Sequence, residues 1–251
     1  MAYLRTDLRL LKVQGPDARS FLNGLITQRT DLPVGSGTYG AILTPQGKLL
    51  ADFPLLFVKE DLLVMALPAS EFDGIFKKLS MFKLKSQVEL SEATGSILLS
   101  GFDEGLPYAD PRHPDLAHDV VDRSASAMDV NSFHKMRAAM GVPEGVYDLV
   151  IGKSTLIDEG LACAIDWQKG CFMGQEVTAR MRYRALIKRV LVPYEGEAEP
   201  GQALREGERK IGEVRSSYAG QGFAYVMKDW ADSMVEGLHL GQPMGLEPLG
   251  L

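Results

Sequence analysis

A chain of 251 residues with 45% hydrophobic content can bury a full core, and no stretch reaches about 18 consecutive apolar residues, which excludes a disordered polymer and a membrane-spanning helix. A formal net charge of −6 argues against a protein that coats nucleic acid regardless of sequence. Two cysteines, Cys163 and Cys171, exclude a disulfide framework and, with four scattered histidines, an intrachain zinc or iron–sulfur ligand set, so no metal site is expected. The N-terminal MAYLRTDLRLLKV lacks the apolar stretch and cleavage site of a secretory signal, and the free thiols suit a reducing compartment; both predict a cytoplasmic protein.

In chain order, Leu8 to Val13 predicts a strand, and Gly15-Pro16-Asp17 opens a helix with Phe21, Leu22, Leu25 and Ile26 at helical spacing. Strands are expected over Thr38–Thr44 and Leu49–Val58, joined by the turn Pro45-Gln46-Gly47-Lys48, and over Leu62–Leu67. Ser70, with Asp73 three residues on, has the spacing of a capping box for a helix burying Phe72, Ile75, Phe76 and Leu79. Strand-like sequence returns at Gln87–Leu90 and Ser96–Phe102, whereas residues 103–128 carry little periodicity and read mostly as loop. A helix follows from about Asn131, with Val130, Phe133, Met136 and Met140 on one side, and ends before Gly141. From residue 187 onward, short apolar runs separated by glycine, as in Val190–Val192 and Gly222–Val226, suggest a small antiparallel barrel, with a last helix near Asp229. The expected architecture is α+β: a body over residues 1–186 with split β-α-β elements, then a C-terminal β-barrel domain over 187–251.

The stretch KGCFMGQE, residues 169–176, is the strongest candidate site. Gly170 and Gly174 allow backbone conformations closed to other residues, and Gln175 opens a helical run whose free amides would lie beside Cys171, with Lys169 behind. A thiol so placed has its anion favoured. The alternative is a glycine turn around a small buried cysteine. Downstream, Arg180, Arg182, Arg184, Lys188 and Arg189 place five positive charges in ten residues, either a solvated face or a grip for carboxylates. Upstream, Asp158 and Glu159 offer carboxylates that could hydrogen-bond a heterocycle or mark a helix end. The four histidines read as surface or hydrogen-bonded polar residues rather than ligands.

KGCFMGQE resembles the K-G-C-[FY]-x-G-Q-E signature of the YgfZ-type folate-binding proteins, in the superfamily of the glycine-cleavage T-protein, an aminomethyltransferase. VTARMRYRALIKR is similar to the run that follows it in that family, and LRLLKVQGPDARSFLNGLITQRTDL, LTPQGKLLADF, MRAAMGVP and IGEVRSS resemble further family segments in order. The resemblance implies a T-protein-like fold with a central folate hole, binding of tetrahydrofolate or a one-carbon derivative, and service to iron–sulfur client enzymes, including those that modify tRNA. It makes Cys171 the motif cysteine and chemically active group with Lys169 beside it, and assigns Gln175 and Glu176 to the folate site. Glu159 is expected at the pterin, although the proline that usually precedes that acid is missing; Arg180 or Arg182 is expected at the glutamate tail. T-proteins carry G-G-x-x-D-D-L where this chain has Ala51-Asp52, leaving Asp52 as the one acid of an aminomethyltransferase alternative. A second alternative is an RNA-binding module built on Arg180–Arg189, which the overall acidity disfavours.

Overall fold

The computed structural model describes residues 2–102, 105–124, 129–157, 160–184 and 187–243. Every strand pairing in it is antiparallel, and the strands form three sheets. In the first part of the chain come β1 (Ala2–Leu4), β2 (Leu8–Gln14), α1 (Ala18–Asn23), β3 (Gly37–Leu43), β4 (Leu49–Lys59), β5 (Leu62–Pro68), α2 (Ala69–Lys83) and β6 (Glu89–Glu92). The middle holds β7 (Ser96–Phe102), β8 (Tyr108–Ala109), β9 (Leu116–Asp122), α3 (Val130–Ala139), α4 (Gly145–Asp148) and α5 (Gln175–Arg184). The last part is strand apart from one 3₁₀ turn: β10 (Arg189–Glu195), β11 (Ala203–Glu206), β12 (Arg209–Ser217), β13 (Gln221–Met227), β14 (Met234–Val235) and β15 (Leu238–Leu240).

The order β3-β4-β5-β2-β6 makes a five-stranded sheet, β1-β7-β9-β8 a four-stranded one, and β11-β12-β13-β10-β15-β14 a six-stranded, nearly closed barrel-like sheet. In the first of these, alternate residues Leu11, Val13, Phe53, Leu55, Phe57 and Met65 face α1 and α2, where Phe72, Ile75 and Leu79 complete the core. The opposite face, with Leu10, Leu56 and Ala66, packs on Leu98 of the four-stranded sheet. Both faces are therefore buried, which is why β4 reads as a nearly continuous apolar run rather than an alternating one.

The four-stranded sheet overturns part of the loop expected over 103–128. β9 pairs with β7 along all seven residues, from Ser96 opposite Asp122 to Phe102 opposite Leu116. Its sequence LAHDVVD buries His118, whose partners Ser100 and Asp110 lie on other segments, so local periodicity missed it. The helix expected near Asp229 is a single 3₁₀ turn, Lys228–Trp230. The capping box at Ser70 is absent: α2 begins one residue earlier with no side-chain cap, and Asp73 instead accepts from Arg9 Nη1 at 2.9 Å. α1 ends at Asn23, so Leu25 and Ile26 lie beyond it.

Candidate functional site

The KGCFMGQE segment forms a loop fastened at three points, with the cysteine between them. Lys169 donates from Nζ to three backbone carbonyls, Asn23 at 2.6 Å, Ile26 at 2.8 Å and Gln28 at 2.9 Å, and so ties the loop to the residues that follow α1. All three ammonium donors are thereby matched. Burial pulls its pKa down to about 8 against the opposing charge of Asp166, which leaves it mostly protonated at neutral pH. Phe172 is buried in the cluster of Leu43, Leu49, Ile165, Leu191 and Phe223, which spans the body and the barrel-like sheet. Gly174, at φ +84°, lies against the β3–β4 turn, and Thr178 on the first turns of α5 returns its hydroxyl to the Gly174 carbonyl at 2.9 Å. Cys171 itself is exposed. Cys163 is mostly enclosed, and burial pushes its thiol up to about 11.

The two motif glycines differ in kind. A Cβ on Gly174 would stand 2.6 Å from the Thr44 carbonyl oxygen, in a left-handed conformation, whereas a Cβ on Gly170 would meet nothing within 4 Å. Gly174→Ala is therefore expected to cost roughly 1–3 kcal/mol of unfolding free energy. Gly170→Ala is expected to stay within about 0.5 kcal/mol of the parent. Urea denaturation of the pair checks this: equal stabilities would mean that the loop does not rest on the β3–β4 turn as described.

The remaining sequence candidates take up separate positions. Glu159 lies outside the described residues. Gln175 is partly buried at the first position of α5, while Glu176 and Arg180 are exposed and pair with each other one helical turn apart. The Arg182 guanidinium lies 4.3 Å from the centre of the Trp167 ring. Asp52 is buried, and its Oδ2 accepts from the Tyr39 hydroxyl and from the Gly145 amide, each at 2.7 Å. Burial raises its pKa, opposed by those two donors.

Asp52 borders a structure that sequence reasoning did not anticipate, a hub of buried charges where the sheets and α3 converge. Glu144 accepts from Arg5 through both carboxylate oxygens, at 3.0 and 2.7 Å, and from Arg112 at 3.2 Å. Arg5 also grips Asp7, and Arg112 grips Asp110 while lying 3.6 Å from the centre of the Tyr39 ring. Arg137 on α3 donates to Asp148 at 2.5 Å, to His134 Nδ1 at 2.9 Å and to the Tyr218 hydroxyl at 2.8 Å. Asp148 further accepts from the Ser216 hydroxyl at 2.6 Å, which joins α4 to the barrel-like sheet. Burial pushes Glu144 up, yet Arg5, Arg112 and Arg137 outweigh it and leave its pKa at about 2. Arg5 holds Asp7, and Arg112 holds Asp110, well below the usual carboxylate range despite burial. Burial lowers the pKa of His118, so its neutral ring donates from Nε2 to Asp110 at 2.8 Å and accepts from Ser100 at Nδ1, 2.9 Å away. The sequence signal for this hub is the arginine of MRAAMGVP, Arg137, on the same face of α3 as Phe133 and His134.

The hub bears on the expected folate hole. The space bounded by Arg5, Tyr39, Asp52, Glu144 and Tyr147 measures about 10 Å³, room for one water molecule. Its polar groups are matched to one another, so the hub as folded does not admit a pteridine. A larger cleft of about 410 Å³ adjoins Lys169, bordered by Arg19, Asn23, Arg29, Asp31 and Asp166. It carries no aromatic or aliphatic wall against which a pterin face would pack.

Residues 6–101 match the family model of the GCVT N-terminal domain. Among curated proteins, the chain is 27% identical to the mitochondrial iron–sulfur cluster assembly factor IBA57 homologue of Neurospora crassa, over 77% of this chain and 54% of that protein. It is 26% identical to human mitochondrial iron–sulfur cluster assembly factor IBA57, over 98% of this chain and 82% of that protein. The chain thus spans about half the length of the Neurospora relative and most of the human one. Among solved structures, the glycine cleavage system aminomethyltransferase T from Bartonella henselae superposes with a TM-score of 0.76 at 16% identity, covering 96% of this chain and 84% of that one. At that identity the likeness establishes the fold. The cytoplasmic expectation is overturned: these relatives are mitochondrial proteins. Free thiols separate reducing from oxidising compartments only, and the lack of a secretory signal says nothing of other destinations. The chain thus carries a GCVT N-terminal domain match over residues 6–101, has the fold of the aminomethyltransferase T, and is similar in sequence to iron–sulfur cluster assembly factors.

Proposed function

We propose that this protein is an accessory factor for iron–sulfur cluster assembly or repair, with Cys171 as its chemically active group. The observation that carries the reading is an exposed thiol held on a loop that is itself pinned by Lys169, Phe172 and Gly174. A cysteine kept merely for packing would be buried, as Cys163 largely is. The names of the relatives support the same role. Iron–sulfur clusters take several thiolate ligands, and this chain exposes one, so a cluster handled here would draw its other ligands from a partner.

The finer parts of the reading are reduced folate as ligand and tRNA-modifying enzymes among the clients. The T-protein fold favours tetrahydrofolate, while the filled hub opposes it at that position; no step of the chemistry is assigned to it. Calorimetric titration with tetrahydrofolate decides, and an absence of binding would remove folate from the reading without touching Cys171. One-carbon transfer is the weaker alternative, because the Asp52 carboxylate is engaged by Tyr39 and Gly145.

Cys171→Ala is expected to leave urea stability within about 0.5 kcal/mol of the parent, since the side chain is exposed. In cells lacking the protein it is expected to fail to restore the activity of iron–sulfur enzymes. Full restoration by that variant would defeat the proposed role of the thiol.

A further inference from the structure

A second feature, independent of the cysteine loop, lies on the solvent side of α2. The helix buries Phe72, Ile75 and Leu79 against the five-stranded sheet, yet its other face is not simply polar. Met81 is 69% exposed and Phe82 40%, and Leu84, just past the last turn, is 87% exposed. With Leu50 of β4, Gly74 and Lys78, the first two edge a groove of about 420 Å³. Gly74, Lys78, Met81 and Phe82 stand at helical spacing, so they form one continuous strip.

Gly74 is the unexpected member. It sits within the helix with nothing within 4 Å of where a Cβ would be, so neither packing nor a left-handed backbone requires glycine there. A glycine in a helix interior destabilises the free chain relative to alanine. What it provides is a recessed floor, where the backbone of another chain can come close.

Charge identifies the kind of chain. Between residues 74 and 85 the sequence GIFKKLSMFKLK holds four lysines and no acid, in a protein whose net charge is −6. The C-terminal end of a helix dipole accounts for a lysine in the last turn, Lys83, but not for Lys77 and Lys78 in the middle. Glu71 closes the opposite end of the groove and gives it a polarity. We propose that this groove docks an acidic, amphipathic helical segment of a partner protein, its apolar residues over Gly74 and between Met81 and Phe82, its carboxylates toward Lys77 and Lys78. A recessed apolar floor suits a helix laid in a groove; a bilayer would call for a convex face.

The test begins with selection from a displayed random-peptide library against the intact protein, followed by affinity measurements on synthetic copies of the selected peptides. Selected sequences are expected to be rich in Asp and Glu, with Leu, Phe or Met at i and i+4. Gly74→Leu, which fills the floor, and the double variant Lys77→Glu/Lys78→Glu are each expected to weaken binding by at least about tenfold. Gly74 and Lys77 are exposed and Lys78 is half-buried on α2, and circular dichroism confirms that the fold is kept. The proposal is overturned if selection shows no acidic bias or if Gly74→Leu leaves the affinity unchanged. It is equally overturned if the lysine-dependent ligand proves to be phosphatidylserine vesicles, or if sedimentation equilibrium finds this face joining two copies of the chain.

Discussion

Arg137→Met is expected to lower the unfolding free energy by about 3–5 kcal/mol, measured by urea denaturation, because it leaves a buried anion without its cation. The side chains of Arg137 and Asp148 are both fully inaccessible, and the guanidinium also serves His134, the Val142 carbonyl and the Tyr218 hydroxyl. Methionine keeps most of the volume, so the cost isolates the lost charge and hydrogen bonds from any cavity. The double variant Arg137→Met/Asp148→Leu removes the stranded anion as well and is expected to recover a substantial part of the loss. A single-variant loss below about 1 kcal/mol would mean that Asp148 finds water or another donor, and that the hub is more open than its geometry indicates.

Acid is expected to dismantle the same hub. Glu144, Asp7 and Asp110 have folded-state pKa values below those of an unfolded chain, so the unfolded state binds more protons as pH drops. Their contribution is fully present above about pH 4.5 and is lost as pH falls toward about 2, the folded value for Glu144. His118 has the same sign for a different reason. Burial lowers its pKa, so below about pH 6.5 the unfolded chain takes a proton that the folded ring refuses. The urea midpoint should therefore decline steadily from about pH 7 to pH 3, with net proton uptake on unfolding. A flat profile over that range would show that these carboxylates are not held as ions in the folded state.

The legible and illegible parts of this molecule separate along one physical line. Where burial depends on local pattern, the sequence sufficed: β2, β4, β5 and the stripe Phe72, Ile75, Leu79 of α2 follow directly from apolar spacing. Where a polar residue is buried because a distant one meets it, no local rule reports it. Ser100 and His118 stand directly opposite on β7 and β9 and bond through their side chains, but His118 alone looks like a surface residue in a loop. Arg5 and Glu144 are 139 positions apart, so neither marks the other. At the candidate site the motif located Cys171 and Lys169. Only the fold distinguished Gly174, which is pressed against Thr44, from Gly170, which is free. Glu176 and Arg180, assigned to a ligand by resemblance, pair on the helix surface, which their i, i+4 spacing could have announced.

The bond from Ser216 to Asp148 has a consequence for the order of events in synthesis. The ribosome delivers Arg137 and Asp148 well before Ser216 and Tyr218, which supply the last of their partners. Until those residues emerge, the nascent chain holds an ion pair with unmatched hydrogen-bonding groups at what will become its centre, and water must stay there to solvate it. Final drying of the interior thus waits on the closing strands, and a ribosome-bound chain stalled before β12 should remain hydrated and protease-sensitive around α3 and α4.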